Sequence, residues 1–265
     1  VNETHQKLDL LLSLRKYREA LKLAQEAVGR EPGWANGYTH MARAYVGLRN
    51  LDAALAAARE GVKRDPHDAW GYMVVAFVWR RGGAAGNALV AAVEAVRINP
   101  DLAATHATHA DALNGSGKYA EALAAAETGL RLEPENPQLL LHRANALCGV
   151  GRLDDAEACL RDARQLHPSN DDIHAFLGRL ALTRATGVVD PDERARLLSE
   201  AEASYRAALR IDPMQPVYRN GLTMVLRWKR WGTGIILWDD FYTSVAIFIV
   251  VLGFVMAVVR LRIQF

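Results

Sequence analysis

The residues nearest to metal chemistry are three histidines. His106 and His109 are three apart in a stretch that reads as helix, so both lie on one face. A neighbouring helix could add His142, and three imidazoles can hold a divalent ion. No fourth ligand of suitable type stands near them. They read as buried or rim histidines, and neither a metal nor any cofactor is expected. The run Arg80-Arg81-Gly82-Gly83-Ala84-Ala85-Gly86 has the glycines of a phosphate loop. It lacks both the Lys-Ser/Thr ending and a preceding strand, so it reads as a turn between helices. No Ser/His/Asp set or carboxylate pair converges in the sequence. Cys148 and Cys159 are the only cysteines, too few for a disulfide framework, and read as small apolar side chains in a reducing compartment. Nothing points to an enzyme or to a small-molecule substrate.

The elements that hold these residues follow a strict period. Pro32, Pro66, Pro100, Pro134 and Pro168 are each thirty-four residues apart. Twelve residues before each stands Ala20, Ala54, Ala88, Ala122 and Ala156. Five before stands a residue small enough to let helices touch: Ala27, Gly61, Ala95, Gly129 and Ala163. Fifteen before stands Tyr17, Leu51, Ala85, Tyr119 and Leu153. A sixth copy closes at Pro213, with Leu198, Ala201 and Ala208 at the matching offsets and eleven extra residues before them. Half of the 265 residues are apolar and Ala-rich, which suits helices packed through small side chains.

This stencil resembles the tetratricopeptide repeat, from the start of the chain to about Arg230. The resemblance implies an all-α, right-handed superhelical solenoid of helix pairs over 1–215, used for binding proteins. Seam pairs such as Ala42 and Tyr45, Ala76 and Trp79, and Gly178 and Ala181 share one helix face. Breakers at Arg49-Asn50, Gly82-Gly83, Gly115 to Gly117 and Gly149 to Gly151 mark the turns. The first copy reads as frayed over Val1 to Leu14, with Leu8 where the others have Ala or Gly. In the family, certain offsets of the first helices line a concave groove. Here they carry Trp70, Met73 and Phe77, with Arg80 and Arg81 at the rim, and also Asn36, Arg43 and Asn145. An aromatic and Met patch of this kind can clamp an apolar segment while Arg holds an acidic end. Some relatives grip C-terminal acidic tails of chaperones. The offsets nearest to that grip carry Ala107, Asp111, His142 and Asp172, which cannot hold a pair of carboxylates.

The last stretch differs in kind. Asp190-Pro191-Asp192-Glu193 has the pattern of a helix start, and the helix it opens should run to about Arg210 and project beyond the solenoid's edge. A capping helix is expected over 216–231, with Tyr218, Leu222 and Val225 facing inward. Val217, Met224, Trp228 and Trp231 form a second apolar stripe, suited to lipid or another chain. A linker over 232–240 leads to Phe241–Val259, nineteen residues without a charge, followed by a short tail over 260–265. That length matches a single transmembrane helix, bordered by Trp238, Phe241 and Tyr242 on one side and Arg260 and Arg262 on the other. Gly253 and Ala257 form a small-xxx-small pair for a second helix in the bilayer.

The net charge of +2 argues against a general nucleic-acid binder, and the basic excess sits after Pro216. The expected protein is a non-catalytic, membrane-anchored scaffold. It would serve as an accessory or assembly subunit of a membrane complex, partnered by an integral membrane protein and the lipid bilayer. The alternative is an adaptor that recruits soluble partners through the groove. No charged-then-apolar leader opens the sequence, so the repeats are expected on the cytoplasmic side, and the composition leans towards a bacterial inner membrane.

Overall fold

Ten helices pair off into five copies of one hairpin because each Pro stops a helix and each inter-helix turn closes the same way. The structure, a computed structural model, describes residues 2–232. The expected linker, the span Phe241–Val259 with Gly253 and Ala257, and the tail lie outside the described residues, as does the side chain of Trp231. Among the described residues every regular element is a helix, and none is long and apolar enough to cross a membrane.

The chain divides after Pro168 into two compact units. The first holds α1 (Asn2–Ser13), α2 (Tyr17–Arg30), α3 (Ala35–Gly47), α4 (Leu51–Arg64), α5 (Ala69–Arg81), α6 (Ala85–Ile98), α7 (Ala103–Gly115), α8 (Tyr119–Leu132), α9 (Pro137–Gly149) and α10 (Leu153–Leu166). Each odd helix packs on the even one after it. The odd helices also contact one another in series: α1 with α3, α3 with α5, α5 with α7 and α7 with α9.

The turn after each odd helix is a repeated Schellman closure. The N–H groups of Lys16, Asn50, Ala84, Lys118 and Arg152 donate five residues back, to the carbonyls of Leu11, Tyr45, Trp79, Leu113 and Leu147, at 2.8–3.0 Å. The residue before each of those donors must enter the left-handed region. Gly83, Gly117 and Gly151 do so without a Cβ penalty, whereas Arg15 (φ 57°) and Arg49 (φ 62°) do so against it.

The seam is made of small side chains. Ala20, Ala54, Ala88, Ala122 and Ala156 are all fully buried, as are Ala42, Ala76, Ala110 and Ala144. At Gly129 a methyl group would come within 2.6 Å of the Leu139 side chain, so anything larger than hydrogen there requires Leu139 to shift. The first copy departs from the expected fraying. α1 is a regular helix, because Leu8 and Leu12 bury themselves against Ala20, Ala24 and Ala44.

The second unit comprises α11 (Asp171–Gly187), α12 (Pro191–Ile211) and α13 (Pro216–Gly232). The eleven extra residues are shared: α11 has 17 residues where its counterparts have 13, and α12 has 21 where they have 14. Both helices lengthen together, so Ala185, Leu197 and Leu198 extend the core with Ala181 and Ala201. Asp190 caps α12 by accepting from the N–H groups of Asp192 (3.4 Å) and Glu193 (3.2 Å), with Pro191 at the first helical position. Tyr205 lies between α11 and α13, pressed against Gly178 and Gly221, where added methyl groups would meet its ring. Tyr218 and Val225 of α13 are buried in the same core, with Leu222 packed beside them. The Tyr218 hydroxyl donates towards Asp172 (2.6 Å) and Asp171 (3.0 Å), and burial followed by these carboxylates pushes its pKa up.

Candidate functional site

The odd helices of the first unit bring residues from successive copies into one polar ladder. Residues at equal offsets in neighbouring copies become neighbours in space when the helices stack. Asp9 of α1 and Arg43 of α3 hold the same offset, and they form an ion pair at 2.6 Å. The Arg43 guanidinium also lies 5.5 Å from the centre of the Trp70 ring on α5. Trp70 Nε1 donates to Thr39 Oγ1 at 3.2 Å, and Thr39 in turn donates to the Asn36 carbonyl at 2.9 Å. Further along, Arg80 of α5 donates through Nε (3.1 Å) and Nη2 (3.2 Å) to the two carboxylate oxygens of Asp111 on α7. Asn114 then donates through Nδ2 to the His142 carbonyl on α9 at 3.0 Å.

This geometry changes what the expected groove residues can do. Met73 is only 8% exposed and so does not stand open to a partner, whereas Trp70 is half-buried against the α3–α4 core. Trp70 packs on the cluster that holds Ala42 and Ala54. Phe77 does stand open, at 40% exposure, with the Arg81 guanidinium 5.9 Å from its ring centre. Arg80 is not a vacant hook for an acidic end, since Asp111 already fills its fork. Asn145 sits half-buried on α9. On α13, Val217 (67%), Met224 (53%) and Trp228 (39%) are exposed, while Lys229 reaches Glu202 at 2.8 Å and Ser199 at 3.1 Å. That bond from Lys229 is the main reason the Glu202 carboxyl is held below its usual pKa.

The structure places His106, His109 and His142 as follows. His106 is buried with Nε2 2.7 Å from the Pro100 carbonyl. Burial lowers the pKa of both His109 and His142. Cys159 is buried, with Sγ 3.6 Å from the Leu140 carbonyl, and burial raises its thiol pKa. The group that sequence reasoning missed is His5, Asp9 and His40. His40 is fully buried on α3, and its Nε2 lies 2.9 Å from His5 Nδ1 on α1. Burial lowers the His40 pKa to about 4; Asp9 opposes that shift, while Arg43 and His5 add to it. A comparison of charged residues across copies at equal offset would have paired Asp9 with Arg43. His40 is uncharged when neutral and stands eight residues after Pro32, outside the seam pair Ala42 and Tyr45, so it gave no such signal.

On the second-helix side, a cleft of about 390 Å³ lies between α4, α5 and α6, lined by Arg59, Tyr72, Trp79, Val90 and Glu94. The Arg59 guanidinium sits 5.6 Å from the Trp79 ring centre there.

Residues 40–103 and 113–180 each match a family model described as tetratricopeptide repeat. Several solved structures share the fold. A thermophilic tetratricopeptide-repeat protein of Thermus thermophilus is 22% identical, with a TM-score of 0.64 over 72% of this chain and 98% of that one. A repeat protein from Parabacteroides merdae is 14% identical, with a TM-score of 0.68 over 84% of this chain and 83% of that one. Human IFIT1, solved as a dimer with m7Gppp-AAAA, is 17% identical, with a TM-score of 0.64 over 79% of this chain and 51% of that one. At these identities the likeness shows the fold alone, so the capped oligonucleotide belongs to IFIT1. No curated protein matches the sequence. The helix hairpins, their thirty-four-residue period and these matches together give the chain an all-α fold of tetratricopeptide-repeat helix hairpins.

Proposed function

We propose that the protein is a membrane-anchored scaffold that serves as a non-catalytic accessory or assembly subunit of a membrane protein complex. Tetratricopeptide repeats suggest a protein–protein interaction scaffold, and that much rests on the fold. The observation that carries the finer reading is α13. One face of it, Tyr218 and Val225, belongs to the core, while Val217, Met224 and Trp228 leave a second apolar face exposed. A helix that only closed the repeats would be polar there. The uncharged run Phe241–Val259 follows shortly after and has the length to cross a bilayer, with Gly253 and Ala257 as its docking pair.

A second reading, an adaptor for soluble partners, is favoured by Phe77 and Arg81 on the open part of the ladder. Gentle detergent extraction followed by sizing and mass spectrometry separates the two. The subunit reading requires stoichiometric membrane partners, lost on Met224→Ser with Trp228→Ser. Substoichiometric soluble partners, lost on Phe77→Ala, would favour the adaptor instead. A chain truncated after Asp240 should also leave the membrane on carbonate extraction. If it stays, Phe241–Val259 is not the anchor.

A further inference from the structure

From the convergence of two imidazoles and a carboxylate, we infer that His5, Asp9 and His40 form a binding site for a divalent transition-metal ion that ties α1 to α3. His5 and Asp9 are four apart on α1 and so share one face, and His40 meets them from α3. One ligand atom from each residue lies within 4.8 Å of the others. His5 Nδ1 and His40 Nε2 are 2.9 Å apart, and His5 Nε2 is 3.4 Å from Asp9 Oδ2. Around an ion with bonds of about 2.1 Å in tetrahedral array, neighbouring donors stand roughly 3.3–3.5 Å apart. An ion takes one nitrogen from each ring, so only one of the two His5 contacts becomes a metal bond. For the imidazole pair, widening the 2.9 Å contact by about half an ångström between α1 and α3 gives that spacing. The rings meet edge-on, with centroids 4.8 Å apart, so their nitrogens face one another rather than stacking.

Two features of the surroundings prepare these side chains as ligands. His40 is fully buried and its Nδ1 has no hydrogen-bond partner; that nitrogen lies 3.9 Å from Asp9 Oδ1, so the ring presents one nitrogen towards each of the two α1 side chains. Arg43 donates to Asp9 Oδ1 at 2.6 Å, which fixes the carboxylate and leaves Oδ2 turned towards His5. The same guanidinium repels a cation, so the ion must gain most of its binding from nitrogen. That selects Zn²⁺, Ni²⁺, Cu²⁺ or Co²⁺ over Mg²⁺ and Ca²⁺, which need a cage of oxygens. The His5 and Asp9 side chains are 37% and 44% exposed, so water can complete the coordination sphere.

The test uses the full chain in detergent, stripped with chelator and titrated with Zn²⁺ by calorimetry and with Co²⁺ by visible absorption. The expected result is one equivalent of Zn²⁺, d–d bands with Co²⁺, and no competition from excess Mg²⁺ or Ca²⁺. His5→Gln and Asp9→Asn alter exposed ends of α1 side chains, and circular dichroism checks that each folds. Each should weaken Zn²⁺ at least tenfold, while His106→Gln with His109→Gln should leave it unchanged. Absence of saturable 1:1 binding overturns the inference. So does unchanged affinity in both folded α1 variants, or loss of binding in the His106/His109 variant. If both α1 variants fail to fold, a rise in the parent's melting temperature with Zn²⁺ but not Mg²⁺ decides in favour of the site, and its absence decides against it.

Discussion

Arg80 and Asp111 form a two-pronged ion pair across α5 and α7, and the space for it is provided by Gly115. The guanidinium donates at 3.1 and 3.2 Å to the two carboxylate oxygens, and a Cβ on Gly115 would overlap that guanidinium. Gly115→Ala should therefore dislodge Arg80 without touching either charged residue. With side chains 28% and 36% exposed, the pair is worth about 1 kcal/mol. Gly115→Ala and Asp111→Asn should each lower stability by about that amount, and the double variant by little more than one of them. Chemical denaturation of the four proteins measures this. Full additivity would show that Gly115 and the ion pair act independently.

Arg49 occupies a backbone position that the three following copies give to glycine. Its φ is 62°, against 77° at Gly83 and 73° at Gly117. A left-handed residue with a side chain costs about 1–2 kcal/mol, partly offset because Gly loses more backbone freedom on folding. Arg49→Gly should thus raise stability by about 0.5–1 kcal/mol, and Gly83→Ala should lower it by about 1 kcal/mol. Denaturant midpoints read both. A loss on Arg49→Gly would mean that the arginine side chain contributes more than its strain.

Much of the hairpin architecture was legible because the period multiplies a weak local signal. One Ala twelve residues before one Pro means little, but five such pairs fix the helix boundaries and the seam. The cap at Asp190 and the inward face of α13 were legible for a different reason: each rests on spacing within a single helix. What was not legible depended on side-chain reach between helices. Met73 holds a groove offset yet is buried, and Trp70 is half-buried against the α3–α4 core. Asp111 looked like an obstacle to anion binding, and it proves to be the partner of Arg80. The lengthening of α11 along with α12 was not legible because Asp190-Pro191-Asp192-Glu193 marks only the start of α12, whereas the core that joins Ala185 to Leu197 draws on both helices.

Stability should fall as the solution is acidified below about pH 6.5, the ordinary histidine value. Burial lowers the pKa of His142, an effect opposed by Asp111 and reinforced by Arg80. Burial also lowers that of His109, reinforced by His106 and opposed by Glu121. In both cases the unfolded chain takes up a proton at a pH where the folded one does not. The neutral folded form is therefore favoured fully above about pH 6.5, and the advantage is lost as pH falls towards the lowered values. The melting temperature of His142→Gln with His109→Gln should change less between about pH 7 and pH 5 than that of the parent. An identical slope in both proteins would place the acid sensitivity elsewhere.

Tyr119 and Gly149 meet as a ring laid on a helix end, and Tyr17 and Gly47 repeat the contact three copies earlier. In each pair the Tyr opens a second helix and the Gly closes the first helix of the next hairpin. A Cβ at Gly47 or Gly149 would overlap the ring down to its Cγ, so the ring must shift as a whole to admit one. Gly149→Ala should cost about 1–3 kcal/mol by overpacking. The other copies indicate how that cost could be relieved. Where Leu51 takes the Tyr offset, the closing position is Arg81 rather than Gly, so a smaller opening residue coexists with a side chain there. Tyr119→Leu should accordingly rescue Gly149→Ala, leaving the double variant at least about 1 kcal/mol more stable than the sum of the single losses predicts. Thermal and denaturant unfolding of the four chains measure that coupling. Additivity to within about 0.5 kcal/mol would mean that the glycine is needed for the backbone of the turn and not for the tyrosine ring.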